Sequence, residues 1–228
     1  MRTKTLLLSA AALVAGLVSS QAQNVYSANV VGYVNATVPA GGFALIQNPV
    51  NFIDASGATN NAMSNVLVNL PVNTTKTYVY NPSTSTFATY TLRSGGWGLG
   101  AGVALNPGTG FFVQNGAATP ITITFPGQVI QGTNTAPVAF GAGYNLIGDV
   151  DPLSGPVETG LGLPVVNNDK VYQYNPATGT YGTYTRRAAA WGGGLEPVIG
   201  TNSTYGVAEA FWYQATAPGT WTNKFTVQ

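Results

Sequence analysis

A tandem repeat constrains this chain more than any other feature of its sequence. Residues Tyr78–Trp97 read YVYNPSTSTFATYTLRSGGW, and residues Tyr172–Trp191 read YQYNPATGTYGTYTRRAAAW. At a constant offset of 94 residues, the two stretches share Tyr-x-Tyr-Asn-Pro, three threonines, a Tyr-Thr pair, an arginine and the closing tryptophan. This density of identity predicts one structural unit that is used twice.

The repeated stretch is predicted to form a β-hairpin. Side chains alternate along a strand, so Tyr78 and Tyr80 share one face. The Asn-Pro pair that follows favours a turn, because asparagine bonds the backbone ahead of it and proline fixes φ. Gly179 suits the left-handed φ of a bulged hairpin. The return strands, Thr86–Thr91 and Thr180–Thr185, are rich in threonine and aromatic residues, as strands are.

Further segments recur at offsets of 100 or 101 residues, which extends the repeat well beyond the hairpin. Tyr144–Ile147 matches Phe43–Ile46, and Phe211–Gln214 matches Phe111–Gln114. We expect an all-β fold of two tandem units, either sandwich-like or one pseudo-symmetric pair of sheets. One short helix is allowed within residues 57–67, where apolar residues have helical spacing. The predicted boundaries are 1–22 for a signal peptide, 23–126 for unit one and 127–228 for unit two.

The N-terminus has the pattern of a secretory signal. Arg2 and Lys4 precede an apolar run over Leu6–Val18, and Ser20-Gln21-Ala22 supplies small residues at the cleavage positions. No later apolar run is long enough to cross a bilayer. The mature protein is therefore expected to be secreted, extracellular or bound to the cell surface, with the periplasm as the alternative.

Composition excludes several function classes. Without Arg2 and Lys4 the chain keeps six basic residues beside seven acidic ones, a formal net charge of −1. Electrostatic capture of nucleic acid needs clustered Lys and Arg, so no nucleic-acid partner is expected. Only 7% of the residues are charged, which removes much of the repulsion that keeps proteins apart. With neither cysteine nor histidine, the chain lacks disulfides and the commonest catalytic base.

No catalytic, cofactor-binding or metal-ligating residue is assigned. Asp149 and Asp151 offer two oxygen ligands, but calcium takes 6–8, and an Asx turn explains them equally well. The Gly-rich loop Gly95–Gly102 lacks the following helix and acid of a dinucleotide site. A glycosidase would need two carboxylates that flank the glycosidic bond. The sequence spacing of the seven acidic residues does not single out such a pair. These residues are Asp54, Asp149, Asp151, Glu158, Asp169, Glu196 and Glu209.

Repeated aromatic residues are the candidate ligand-binding groups. Sugars stack their C–H faces on exposed rings, so a repeated aromatic platform would suit a carbohydrate-binding module. Aromatic residues also fill β cores, and the sequence leaves both interpretations open. The candidates are Trp97, Trp191, Tyr80, Tyr90, Tyr174 and Tyr184.

The predicted N-terminal strand, Asn24–Asn35, has no preceding unit to pair with. It is expected to pair with the C-terminal strand near Phe225, either of its own chain or of another copy. Pairing within the chain closes a monomer, whereas pairing between chains builds a filament by strand addition. The partners expected are therefore the chain itself or extracellular glycans.

The chain resembles exported β-repeat proteins of environmental bacteria for which no activity is known. The resemblance lies in the opening Tyr26–Tyr33 (YSANVVGY), the strand Gly42–Pro49 (GFALIQNP), the Tyr-x-Tyr-Asn-Pro hairpin with its tryptophan, and Pro107–Val113 (PGTGFFV). It implies a secreted β protein and supplies no catalytic residue or cofactor. We therefore expect a non-catalytic structural or adhesion-type protein, with a carbohydrate-binding module as the alternative and a hydrolase as a remote third.

Overall fold

The computed structural model describes residues 30–132, 137–188, 191–192 and 205–225. Within these ranges the fold is all-β with one short α-helix, which confirms the prediction of an all-β fold with at most one short helix. The predicted signal peptide and Glu196 lie outside the described residues. Within these ranges, no helix has the length and apolar character needed to span a membrane.

Strands of the first half follow the predicted pattern of alternating and turn-forming residues. In chain order the elements of this half are β1 Val30–Val38, β2 Phe43–Gln47, helix α1 Met63–Val66, β3 Thr75–Asn81, β4 Thr86–Thr91, a 3-10 turn at Gly98–Gly100, β5 Gly110–Asn115 and β6 Ile121–Val129. Helix α1 lies where the short helix was predicted.

The second half repeats the order of the main strands, without a described counterpart of α1 or of the 3-10 turn. Its strands are β7 Val138–Phe140, β8 Gly143–Gly148, β9 Lys170–Asn175, β10 Thr180–Arg186, β11 Trp191–Gly192, β12 Ala210–Ala215 and β13 Gly219–Trp221. The predicted hairpins are β3–β4 and β9–β10, both antiparallel. Gly179 at the second turn has a φ of 68°, which confirms its predicted left-handed conformation.

The two larger sheets have the same strand order when strands at repeated sequence positions are matched. The first half forms the sheet β2-β5-β3-β4, and the second forms β8-β12-β9-β10, to which β11 is added at the edge. A two-stranded ribbon accompanies each sheet, β1-β6 in one half and β7-β13 in the other. Within these ribbons Val38 pairs with Ile121, and Val138 pairs with Trp221 at the corresponding place.

The first strand differs from its prediction in length and in partner. It continues beyond the predicted end at Asn35 as far as Val38, because Ala36 and Val38 are buried while Thr37 faces solvent. This alternation extends the strand pattern up to Pro39. The strand pairs with β6 in the middle of the chain, not with the C-terminal strand. Residues 24–29 lie outside the described part, and β6 runs across the boundary drawn at residues 126 and 127.

Each large sheet covers its own hydrophobic core with one face. In the first half, Phe111 and Val113 of β5 are fully buried with Trp97 and α1. In the second half, Phe211 and Tyr213 of β12 are buried with other aromatic side chains. Fully burying a side chain such as Phe111 contributes about 1.5–3 kcal/mol, so these inward rows supply the main driving force for folding.

The halves join through a pair of hydrogen-bonded contacts at equivalent positions. The N–H of Gln47 donates to the carbonyl oxygen of Ala208 (2.9 Å), and the N–H of Gly148 donates to that of Gly108 (3.0 Å). In the sequence repeat, residue 47 corresponds to residue 148 and residue 108 to residue 208. The contacts are thus related by an approximate two-fold axis. Beside them, Leu45 packs with Leu146 and Ala210.

Candidate functional site

The outer faces of the two large sheets carry a continuous group of aromatic side chains, here called the aromatic surface. Because side chains alternate along a strand, residues between the buried core positions point away from the cores. On β5 the outward residue Phe112 follows buried Phe111. On β12 the outward residue Trp212 follows buried Phe211 in the same way. The aromatic surface comprises Phe43, Tyr78, Tyr80, Phe87, Phe112, Tyr144, Tyr172, Tyr174, Tyr181 and Trp212.

Ring contacts recur at equivalent positions of the two halves. The centroids of Tyr80 and Phe87 lie 5.3 Å apart, and those of Tyr174 and Tyr181 lie 5.2 Å apart. The Phe43–Tyr78 contact at 6.0 Å is likewise repeated at 5.9 Å in the second half. The repeat therefore specifies a patterned outer surface as well as two cores.

Edge-to-face ring contacts also carry the aromatic surface across the junction between the halves. Tyr80 meets Trp212 edge-on, with centroids 4.7 Å apart and an interplanar angle of 79°. Phe112 meets Tyr174 at 5.6 Å and 85°. Such edge-to-face pairs contribute about 0.5–1.5 kcal/mol beyond their burial. The aromatic surface is therefore held by both halves and belongs to neither alone.

A cavity of about 460 Å³ opens on this surface. Phe87, Tyr144 and Tyr181 are 42%, 48% and 43% exposed, so rings at its wall remain accessible to solvent. None of the described charged side chains lines the cavity. Its lining residues are Tyr80, Ser85, Phe87, Tyr144, Tyr172, Tyr181 and Trp212.

The phenol groups of the cavity form a short hydrogen-bonded chain. The Tyr172 hydroxyl donates to Gln214 Oε1 at 2.8 Å and lies 3.4 Å from the Tyr144 hydroxyl. Burial raises the pKa of Tyr172 to about 12, and the neighbouring Tyr144 adds to the shift. Burial also raises the pKa of Tyr174 and of Tyr181. The phenols of Tyr172, Tyr174 and Tyr181 therefore stay neutral at physiological pH and act as hydrogen-bonding groups.

A second, polar cavity of about 400 Å³ shares Tyr174 and Tyr181 with the aromatic surface. Its wall carries Gln173, and the Gln173 amide donates to Glu209 Oε1 at 3.0 Å. Burial raises the pKa of Glu209, although the Gly206 N–H and the Gln173 amide bond its carboxylate and act in the opposite direction. Polar groups therefore adjoin the aromatic cavity.

The candidate residues proposed from the sequence divide between surface and core. Tyr80 and Tyr174 lie on the aromatic surface. Trp97 and Trp191 are 5% and 4% exposed and lie in the two cores, which leaves no open ring face for a ligand. Tyr184 is buried in the second core, and Tyr90 is partly buried against the first.

Both core tryptophans are anchored through their indole nitrogens. Trp97 Nε1 donates to the Leu67 carbonyl oxygen at 3.2 Å, and Trp191 Nε1 donates to Glu158 Oε2 at 2.7 Å. Glu158 also forms an ion pair with Arg186 at 3.0 Å. Packing in the cores and anchoring of loops therefore explain why these two tryptophans recur in the sequence repeat.

Sequence reasoning missed Trp212, Phe87 and Tyr181 as accessible aromatic residues. A signal for Trp212 was available in the segment Ala210–Ala215, where Gln214 marks the outward face of the strand and period two places Trp212 beside it. Phe87 and Tyr181 pair with Tyr80 and Tyr174 across their hairpins. Hairpin register therefore places them on the same face.

Asp149 and Asp151 are buried, at 4% and 0% exposed. Burial raises the pKa of Asp149 to about 6. Burial and then the charge of Asp149 raise the pKa of Asp151 to about 7. Within the described ranges, no group of three or more His, Cys, Asp or Glu side chains forms a candidate metal cluster.

Asp169 is a buried structural anchor. Its carboxylate accepts hydrogen bonds from the Tyr213 hydroxyl, the Val166 N–H and both the N–H and hydroxyl of Thr216. Burial alone would raise the pKa of Asp169, but these hydrogen bonds outweigh it and the pKa lies below its ordinary value. Asp54 is exposed and closes a local turn with Ser56.

The chain was compared with protein-family models, with curated proteins and with solved structures, and no match was found in any of the three. Functional inference therefore depends on the geometry of the aromatic surface.

Proposed function

We propose that this chain is an exported, non-catalytic contact protein, built from two copies of one β unit, whose aromatic surface binds neutral carbohydrate chains. The observation that carries this proposal is the cavity of about 460 Å³ walled by partly exposed rings from both halves. That volume lies within the roughly 300–1,000 Å³ of small-ligand sites.

The chemistry of the wall matches a neutral sugar. A pyranose ring presents an apolar C–H face that packs on an aromatic ring, and its hydroxyls seek uncharged donors and acceptors at the edge. Tyr144, Tyr172 and Ser85 supply hydroxyl groups beside the rings. Gln173 and Asn175 line the adjoining polar cavity. An ionic ligand would require a buried counter-charge, and the lining of the aromatic cavity includes no charged residue from the described ranges.

A binding role without catalysis is supported by the positions of the acids. Asp169 and Glu158 are engaged in structural hydrogen bonds, Asp149 and Asp151 are buried, and Asp54 lies in an exposed turn. None of the described acids lines the aromatic cavity. The sequence contains no histidine to act as a general base.

Affinity electrophoresis through gels that contain neutral polysaccharides tests this proposal. We expect at least one polysaccharide among cellulose derivatives, xylan, laminarin and starch to retard the mature protein. Phe87→Ala and Tyr181→Ala, which remove exposed rings from the wall, should weaken the retardation about tenfold or more, equivalent to roughly 1.4 kcal/mol. Both positions lie at the surface, so the variants should fold.

Trp97→Phe is the matched control, because it alters a buried ring in the first core. It should preserve retardation even if it lowers thermal stability. Equal mobility of the wild-type protein in all gels, or unchanged retardation after the loss of both exposed rings, would contradict carbohydrate binding at this surface.

A second candidate function, self-association by strand addition, is favoured by the open edge of β1. In the described part of the chain, β1 pairs with β6 alone. Its side chains Val31 and Tyr33 are 64% and 74% exposed. An open edge with apolar side chains is a template for pairing with another chain.

Sedimentation over a range of protein concentrations tests strand addition. Wild-type protein should form concentration-dependent assemblies, and Val31→Lys with Tyr33→Lys should keep it monomeric by charging the edge. A wild-type protein that stays monomeric at the highest concentration would remove this candidate.

A further inference from the structure

The loop that follows β8 places two carboxyl groups in the protein interior. Asp149 Oδ1 accepts a hydrogen bond from the Asp151 N–H at 3.1 Å, and Asp149 Oδ2 accepts one from the Asn223 side-chain amide at 2.9 Å. Asp151 is fully buried, and neither of its carboxylate oxygens has a hydrogen-bond partner among the described residues. A buried carboxylate without a partner is rare and calls for a physical explanation.

The corresponding loop of the first half shows that the turn itself does not need acids. At an offset of 101 residues, Asn48 replaces Asp149 and Val50 replaces Asp151. Asn48 Oδ1 accepts from the Val50 N–H at 3.3 Å, which is the same turn, and Val50 packs into the first core. The second half therefore holds a carboxylate where the first half holds a core valine.

In the part of the chain that the structure describes, no basic side chain forms an ion pair with Asp149 or Asp151. Among the described residues, the ion pair found is Arg186 with Glu158, elsewhere in the second half. Lys224 is adjacent in sequence to Asn223, but its side chain is exposed. Burying two neighbouring carboxylates without compensation is strongly unfavourable, so a further species must balance their charge.

A bound cation accounts for the geometry more completely than a proton. Protonating Asp151 would remove its charge but leave a buried O–H and a buried C=O without partners. A cation would engage both carboxylates and satisfy the two free oxygens of Asp151. Oxygen ligands of this kind are the preferred ligands of calcium, which accepts 6–8 oxygens in flexible geometry.

We propose that Asp149 and Asp151 bind a calcium ion, with backbone carbonyl oxygens and water completing its coordination. Because the site offers two carboxylates, the affinity should resemble that of extracellular modules, with Kd of about 10⁻⁴–10⁻³ M. Through Asn223, which bonds Asp149, the ion would fix the C-terminal segment of the described chain to the loop after β8.

Thermal unfolding of the mature protein at neutral pH tests the proposal. We expect Tm to rise continuously as CaCl2 is added over the range of the expected Kd, and to fall back with EDTA. NaCl at equal ionic strength should produce no such rise. Calcium titration calorimetry should give one site per chain in this concentration range.

Variants that install the first-half residues provide the specificity test. Asp151→Val and Asp149→Asn are accommodated by the same turn in the first half, so both should fold and both should lose the calcium-dependent rise in Tm. In EDTA, Asp151→Val should unfold at a higher temperature than the wild type. Asp54→Asn removes an exposed acid and should keep the full calcium response.

The proposal is overturned if the wild-type Tm is the same in calcium and in EDTA, or if Asp151→Val keeps the calcium response. A further outcome would also overturn it: the Tm in EDTA rises as the pH is lowered from about 7 towards 4, and calcium has no effect at either pH. That result would show that a bound proton, and not calcium, neutralises the carboxyl groups.

Discussion

The Tyr80 ring on β3 meets the Trp212 indole on β12 edge-on, at 4.7 Å between centroids, and so joins the outer faces of the two halves. The hydrogen bonds between Gln47 and Ala208 and between Gly148 and Gly108 lie at the same junction. The packing that joins the halves therefore also forms the wall of the aromatic cavity.

Gly148→Ala should weaken this junction. A Cβ at residue 148 would lie 2.4 Å from Gln47 Cγ and 3.1 Å from the Glu209 carbonyl oxygen. Gln47 is buried and its Oε1 accepts the Gly108 N–H at 3.1 Å, so it has little room to move. We expect a loss of about 1–3 kcal/mol in the free energy of unfolding, as for other overpacked interiors.

Urea unfolding measures this loss, and Gly95→Ala is the control because nothing lies within 4 Å of a Cβ at that position. If Gly148→Ala and Gly95→Ala have equal midpoints, the close approach of the two halves at residue 148 is not a determinant of stability.

Ser85→Gly should stabilise the first hairpin. Ser85 has a φ of 53°, and the second hairpin has Gly179 at the equivalent position with a φ of 68°. A left-handed φ costs an L-residue about 1–2 kcal/mol, and replacing serine by glycine removes this cost. Glycine also loses more conformational entropy on folding, which offsets part of the stabilisation. The net increase in the free energy of unfolding should be about 0.5–1 kcal/mol.

The reverse change, Gly179→Ser, should lower the free energy of unfolding by a similar amount. Ser83→Gly tests the specificity, since Ser83 is not among the residues with positive φ and its replacement should give no gain. A stabilisation by Ser83→Gly as large as that by Ser85→Gly would refute the backbone explanation.

Asp169→Asn should cost about 1–3 kcal/mol, because the buried Tyr213 hydroxyl and the partly buried Val166 N–H lose a carboxylate acceptor. The pKa of Asp169 is lowered in the folded state, so the unfolded state binds its proton more readily. The ionised carboxylate therefore contributes stability above its ordinary pKa, and this contribution disappears as the pH falls through the lower, folded-state pKa.

Denaturation midpoints of the wild type and of Asp169→Asn, measured between neutral pH and about pH 2, test this assignment. The difference in stability between the two proteins should shrink with acidification. A difference that stays constant over the whole range would show that the ionised carboxylate is not the stabilising form.

The sequence predicted local elements well because local chemistry determines them. Asn-Pro turns, alternation and Gly179 located both hairpins, and the spacing of Met63 and Val66 located the helix. The predicted partner of β1, the C-terminal strand, was wrong, because long-range pairing with β6 is decided by the cores that both strands cover. No local pattern in Val30–Val38 identifies that partner.

The aromatic surface was predicted only in part for a related reason. Recurrence selected Trp97 and Tyr80 equally, because a repeated unit repeats its buried and its exposed residues alike. Which face is wet depends on what each sheet packs against, and that is a property of the assembled fold. Tyr80 and Tyr174 proved to lie on the outer face, whereas Trp97 and Trp191 anchor loops in the cores.

Trp212 provides the most direct test, because it is the tryptophan of the aromatic surface while Trp97, Trp191 and Trp221 are buried. The measurement is tryptophan emission during titration with cello-, laminari-, malto- and xylo-oligosaccharides, for the wild type and for Trp212→Phe. Carbohydrate binding at this surface predicts a saturable change in the wild type with at least one oligosaccharide, and its absence in Trp212→Phe. No change with any of them, or an equal change in both proteins, would contradict the account.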